Sequence, residues 1–207
     1  MKRSDLIVDG PDSAALTIAL AHGAGAPMDS EFMGFFAEGL ASLGYRAVRF
    51  EFPYMAERRK TGKKRPPDRQ PKLLECWQSV IDAFGPESLV IGGKSMGGRM
   101  ATLIGDQAQV RGIVALGYPF YGAGRADKPR TDHLVDLKTP TLICQGTRDP
   151  TGSFDVISTL SLSKSIDYHW ADDGDHSFKP RKKSGRTQKQ NWTEALDACD
   201  GFLRRLL

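Results

Sequence analysis

Cysteine is scarce in this chain. Cys76, Cys144 and Cys199 are the only three in 207 residues, an odd number with no metal-type spacing. That excludes a disulfide framework as the source of stability. Long apolar runs are missing too: the longest apolar-rich stretch, residues 14–21, is too short to cross a bilayer. The basic start Met1-Lys2-Arg3-Ser4-Asp5 leads into no apolar segment of the kind a secretory leader needs. No repeat or low-complexity tract stands out, and no second histidine stands at ligand spacing from His176 to suggest a metal centre. These absences point to a soluble protein of a reducing compartment, expected in the cytoplasm, with neither membrane partner nor cofactor.

The composition, 40% apolar and 26% charged, is that of an ordinary globular chain, and the length suits one domain spanning residues 1–207. The net charge of +4 hides a partition. Residues 57–72 carry eight basic and two acidic side chains, and residues 179–191 carry six basic and none acidic. Each segment is thus at +6, which leaves the rest of the chain at −8.

Apolar residues come in two periods. Short runs at residues 16–20, 46–52, 88–91, 113–116 and 141–145 read as buried strands, with a shorter one at 6–8 and a more alternating one at 165–170. Between them, residues 30–43, 72–84, 96–106 and 191–207 place apolar side chains at helical spacing. Strands that are apolar throughout, alternating with amphipathic helices, predict a mostly parallel central sheet with helices on both faces. Functional loops of such a sheet lie at the carboxyl ends of its strands.

One such loop holds Gly92-Gly93-Lys94-Ser95-Met96-Gly97-Gly98. Gly-x-Ser-x-Gly between a strand and a helix is a nucleophile elbow, whose turn is too sharp for side chains at the flanking positions. Gly93 and Gly97 remove those collisions, and the Met96 N–H at the helix start faces a developing oxyanion. A phosphate-binding loop is the rival reading of Gly93-Lys94-Ser95. It requires Gly at position 88, which is Ser.

A serine nucleophile needs a base and a carboxylate that orients it. Asp149 follows the strand at 141–145, and His176 follows the last strand in Gly174-Asp175-His176-Ser177-Phe178. The order Ser95, Asp149, His176 is the one this architecture uses. Asp155 is the fallback acid. His22 is read as shaping its loop, His133 as a solvated loop residue and His169 as a strand-face residue, while Cys144 suits inert packing. The second oxyanion donor is expected at the Ala24 N–H, with Gly25 as the alternative.

The blocks Leu20-Ala21-His22-Gly23-Ala24-Gly25-Ala26, Phe50-Glu51-Phe52-Pro53-Tyr54-Met55, 92–101, Leu116-Gly117-Tyr118-Pro119-Phe120 and 174–178 resemble the small lidless α/β-hydrolase group, a neighbour of the dienelactone hydrolases. Its eukaryotic relatives include a subunit of the non-specific-lethal histone acetyltransferase complex and a testis-expressed protein. The resemblance implies the α/β-hydrolase fold and supports Ser95, Asp149 and His176 position by position, without implying a substrate. Only about two dozen residues separate Leu116 from Thr141, too few for a large cap.

The expected function is therefore a serine hydrolase cleaving a carboxylic ester or thioester through an acyl-enzyme. Were the two basic segments to rim the site, they would favour anionic small-molecule substrates. The alternative is a catalytically silent scaffold or binding protein with the same fold. The basic runs lack the aromatic interleaving that would support nucleic-acid binding.

Overall fold

The computed structural model describes residues 5–207; Met1 to Ser4, read above as carrying no leader, lie outside the described residues. Nine strands form in chain order: β1 (Leu6–Asp9), β2 (Thr17–Ala21), β3 (Arg46–Phe50), β4 (Leu89–Lys94), β5 (Gly112–Leu116), β6 (Tyr121–Gly122), β7 (Arg125–Pro129), β8 (Thr141–Gly146) and β9 (Ile166–Ala171). Among the described residues six α-helices accompany them: α1 (Glu31–Ser42), α2 (Pro53–Thr61), α3 (Gln70–Phe84), α4 (Met96–Ala108), α5 (Phe154–Ile157) and α6 (Gln188–Arg204). Seven strands make one sheet in the order β1-β3-β2-β4-β5-β8-β9. Every pairing in it is parallel except β1 with β3 at one edge.

The central strands divide their residues between two cores, because successive side chains leave opposite faces. Ile18, Leu20, Val90, Val114, Leu116 and Leu142 meet Phe36 and Leu40 of α1 and Trp192, Phe202 and Leu203 of α6. On the other face, Ala19, Ile91, Ile113, Ala115 and Ile143 meet Trp77, Val80 and Ile81 of α3 and Met100, Ala101 and Ile104 of α4. Fully burying each large apolar side chain contributes about 1.5–3 kcal/mol, so this two-sided core sets the positions of the strand ends.

The expected parallel sheet, the helices on both faces and the absence of a large cap are all present. Three elements went unread in the sequence. Residues 53–61, partly assigned to a basic loop, form α2, with Pro53 in its first turn and Gly62 in the left-handed conformation that ends it. Its exposed residues are almost all polar and only Tyr54 and Met55 are buried, so apolar periodicity could not reveal it. The small ribbon β6–β7 and the four-residue α5 were hidden for the same reason: the five residues of β7 are all exposed.

Strand order reverses between β2 and β4: β3 continues outward from β2, and β5 outward from β4. The crevice outside the carboxyl ends of an α/β sheet opens at such a point.

Candidate active site

Ser95 sits in that crevice, one residue past β4. Its backbone has φ 51° and ψ −114°, a conformation L-residues rarely adopt. Two bonds hold it there: the Ser95 N–H donates to the Leu116 carbonyl at 3.0 Å, and the Arg99 N–H donates to the Ser95 carbonyl at 3.0 Å. A Cβ at Gly93 would lie 2.0 Å from the Ala21 oxygen, and one at Gly97 would lie 2.4 Å from the same atom. Close packing of the turn onto β2 thus requires both glycines of the elbow.

The structure brings Ser95, His176 and Asp149 together. His176 Nε2 is 2.9 Å from Ser95 Oγ, and His176 Nδ1 is 2.7 Å from Asp149 Oδ2. A carboxylate only accepts, so the ring proton belongs on Nδ1, and Nε2 is left to accept from the Ser95 hydroxyl. Asp149 is 0% exposed and the His176 side chain 31%. Asp155, on α5, makes no such contact.

Asp149 is held by residues that the sequence reading missed. Gln145 Nε2 donates to Asp149 Oδ2 at 2.9 Å, while the Thr151 N–H and hydroxyl both donate to Oδ1 at 2.7 Å. Gln145 also spans the neighbouring strand end: its Oε1 accepts from the Tyr118 N–H at 2.7 Å, and its Nε2 reaches the Tyr118 and Gly152 carbonyls at 3.1 Å. A polar residue closing the otherwise apolar run Leu142-Ile143-Cys144 was the available signal, since a buried amide must find partners.

The His176 loop is fastened from two sides. From α6, Asn191 Nδ2 donates to the Phe178 and Asp172 carbonyls at 2.8 and 2.9 Å, and Trp192 Nε1 donates to the Ser177 carbonyl at 2.9 Å. From the elbow, Lys94 Nζ donates to the His176 carbonyl at 2.5 Å and lies 5.4 Å from the centre of the Phe32 ring. Burial pulls the Lys94 ammonium down to about 8, with Asp149 and Asp175 opposing that fall.

The loop after β2 is shaped by His22, as expected. Buried His22 accepts from the Phe52 N–H through Nε2 at 3.1 Å, and its Nδ1 lies 2.6 Å from the Gly23 oxygen. Burial lowers its pKa, which suits the neutral ring these contacts need. The Tyr54 hydroxyl donates to the Ala24 carbonyl at 2.9 Å and reaches the Gly23 carbonyl at 3.3 Å. Gly23 packs on Ser95: a Cβ there would lie 3.6 Å from Ser95 Cβ.

The remaining candidates resolve simply. His133 is not solvated; it is half-buried, 3.0 Å from Thr102 Oγ1 and 3.3 Å from the Tyr118 hydroxyl, because the connection after β7 folds back onto α4. Burial and the nearby Arg99 push it down to about 4. His169 lies on β9, partly covered by neighbours. The Cys144 thiol is buried and 3.8 Å from the Ala195 carbonyl, an inert packing position. In the basic segments, Arg59 pairs with Glu51 and Asp29, Lys72 with Asp68, Arg181 with Asp173 and Arg186 with Glu194.

A sequence model of the alpha/beta hydrolase domain matches residues 14–204. The chain belongs to the alpha/beta hydrolase family. The chain is 34% identical over 116 residues to ABHD14B of Rattus norvegicus, a candidate protein-lysine deacylase. The match takes in 55% of the chain and 52% of the rat protein, so the chain spans about half the length of that relative. Among solved structures, an alpha-beta serine hydrolase homologue from Coxiella burnetii superposes with a TM-score of 0.71 at 16% identity, covering 98% of this chain and 91% of the other. A serine hydrolase without lid from Xanthomonas campestris gives 0.67 at 19% identity, covering 98% and 88%. Est1E from Butyrivibrio proteoclasticus gives 0.69 at 12%, covering 96% and 94%. At these identities the structural likenesses establish the shared fold alone.

Proposed function

We propose that this alpha/beta hydrolase is a serine hydrolase that cleaves a carboxylic ester or thioester, with Ser95 as nucleophile, His176 as base and Asp149 as the carboxylate that orients it. The observation that carries this reading is the unbroken hydrogen-bond chain from Ser95 Oγ through both ring nitrogens of His176 to buried Asp149. As Ser95 Oγ bonds to the substrate carbonyl carbon, His176 Nε2 takes its proton. Asp149 stabilises the imidazolium that forms. His176 then passes the proton to the leaving alcohol or thiol, and the acyl-enzyme is cleaved by a water that His176 deprotonates in turn.

Peptide geometry supports Ala24 and Met96 as the oxyanion donors. In a trans peptide the C=O and the following N–H point in opposite directions. The Gly23 carbonyl is drawn to Tyr54 and His22, which turns the Ala24 N–H the other way. The Met96 N–H opens α4, where no intrahelical acceptor is in reach. Losing one such donor costs roughly 100- to 1000-fold in rate.

The domain is taken as residues 1–207. Three free thiols among the described residues fit a reducing, cytoplasmic setting. The rat relative's description makes an N-acyl lysine the second substrate class to screen. A fluorophosphonate probe is expected to label folded protein on Ser95, and Ser95→Ala to abolish both label and ester turnover. Turnover equal in wild type and Ser95→Ala would instead favour the silent scaffold.

A further inference from the structure

The basic segments that first suggested an anionic substrate turn out to be partly neutralised, their arginines Arg59, Arg181 and Arg186 each holding a carboxylate. A different cation stands uncompensated beside the nucleophile. Arg99 lies one helical turn after Ser95 and donates its backbone N–H to the Ser95 carbonyl. Among the described residues its guanidinium has no ion pair, and its Nε is buried without any hydrogen-bond acceptor. Buried donors in folded proteins are almost always paired, and an orphaned one on a charged group is especially costly.

The surroundings of Arg99 supply no negative charge. The groups acting on it are the Tyr118 phenol and Arg130, and burial together with Arg130 holds its pKa below the usual guanidinium range. Its other titratable neighbour, His133, is pushed down to about 4 and is therefore neutral at pH 7. Asp132 acts on His133 but pairs with neither arginine. Burial pushes the Tyr118 phenol up to about 12, so it too is neutral at pH 7. Exposed Arg130 has no carboxylate partner of its own among the described residues. Arg99 on the first turn of α4 and Arg130, whose carbonyl accepts from the Tyr118 hydroxyl at 3.2 Å, thus act on one another with no counter-charge between them.

We propose that Arg99 and Arg130 form an anion subsite next to Ser95, and that the substrate carries a carboxylate which binds there while its ester or thioester carbonyl meets the nucleophile. The planar fork of a guanidinium matches a carboxylate with two parallel hydrogen bonds. The bound carboxylate supplies the acceptor that the Arg99 guanidinium lacks. A bound carboxylate offsets the like-charge repulsion of the two arginines, so the free site is poised for an anion. The inference deepens the serine-hydrolase reading and rests on it, since it places the anion relative to Ser95.

The test compares mono-4-nitrophenyl glutarate with 4-nitrophenyl valerate, acyl chains of equal length with and without a terminal carboxylate. Wild type is expected to prefer the glutarate ester, and Arg99→Gln to lower the ratio of the two kcat/KM values roughly 10- to 100-fold. Arg130→Gln should lower it severalfold, whereas Lys63→Gln and Lys183→Gln in the basic segments should leave it unchanged. Glutarate titrated calorimetrically into Ser95→Ala protein gives a readout free of turnover, and binding should vanish in Ser95→Ala/Arg99→Gln. Melting curves identify an unfolded variant, in which case Arg130→Gln and Arg99→Lys carry the comparison. Ser95-dependent turnover with the same ester ratio in wild type and both arginine variants overturns the subsite and leaves the hydrolase intact. Arg99-dependent glutarate binding without turnover of either ester upholds the subsite and overturns the hydrolase reading.

Discussion

Asp149 has no solvent-exposed surface, so every lone pair it uses must be satisfied by protein. Gln145 and Thr151 do this, and the hold of Asp149 on His176 depends on them. Gln145→Leu removes one donor at Asp149 Oδ2 and leaves the buried Tyr118 N–H and Gly152 carbonyl without partners. The expected loss is about 2–4 kcal/mol of stability from two unpaired buried groups, measured by urea unfolding. Turnover should fall mainly through kcat, because Gln145 is fully buried and acts through Asp149. The local signal marked Gln145 only as a polar residue closing an apolar run; its partner Tyr118 lies 27 positions away, and no local pattern marks such a pair.

Among the elements, α6 does more than close one face of the sheet. It begins with a complete capping box, Thr187 accepting from the Gln190 N–H while the Gln190 side chain returns to the Thr187 N–H. One turn on, Asn191 and Trp192 grip the loop that presents His176. These two roles separate by mutation. Thr187→Ala should cost about 1 kcal/mol and leave turnover near wild type. Asn191→Leu should lower kcat more than its stability loss predicts, since it frees the Phe178 and Asp172 carbonyls beside His176; paired melting and kinetic measurements decide this. The helix itself was plain in the sequence from its apolar spacing, but its hold on the His176 loop was not. By contrast α2 stayed hidden, because a helix with two buried residues has almost no periodic signal.

Across the whole molecule, the elbow lysine links the site to the pH dependence of folding. Lys94 titrates at about 8 in the native protein, against 10.5 when unfolded. Below pH 8 both states hold the proton, and the native state carries the full cost of burying the ammonium. Between about pH 8 and 10.5 the unfolded chain binds a proton that the native chain does not, so stability rises with pH across that window. The rise amounts to at most about 3 kcal/mol. Unfolding free energies of wild type and Lys94→Met at pH 7.5 and pH 10 should differ in slope: only wild type gains this increment. The same lysine bonds to the His176 carbonyl, so the charge that costs stability also fixes His176 in place.

Local sequence specifies the seven strands of the main sheet, the main helices and the elbow, because these rest on local sterics and short-period burial. Only small residues fit where the turn meets the Ala21 oxygen, and an apolar run of five residues between helices has few fates other than a buried parallel strand. The chain order of Ser95, Asp149 and His176 was likewise readable, as was the lack of room for a large cap. Tertiary structure alone decided which side chains brace Asp149, which cations in the basic segments find carboxylates, and that Arg99 does not. Those are pairings across tens of residues, such as the 81 positions between Ser95 and His176, and charge compensation becomes defined only once the sheet has set its strand ends side by side.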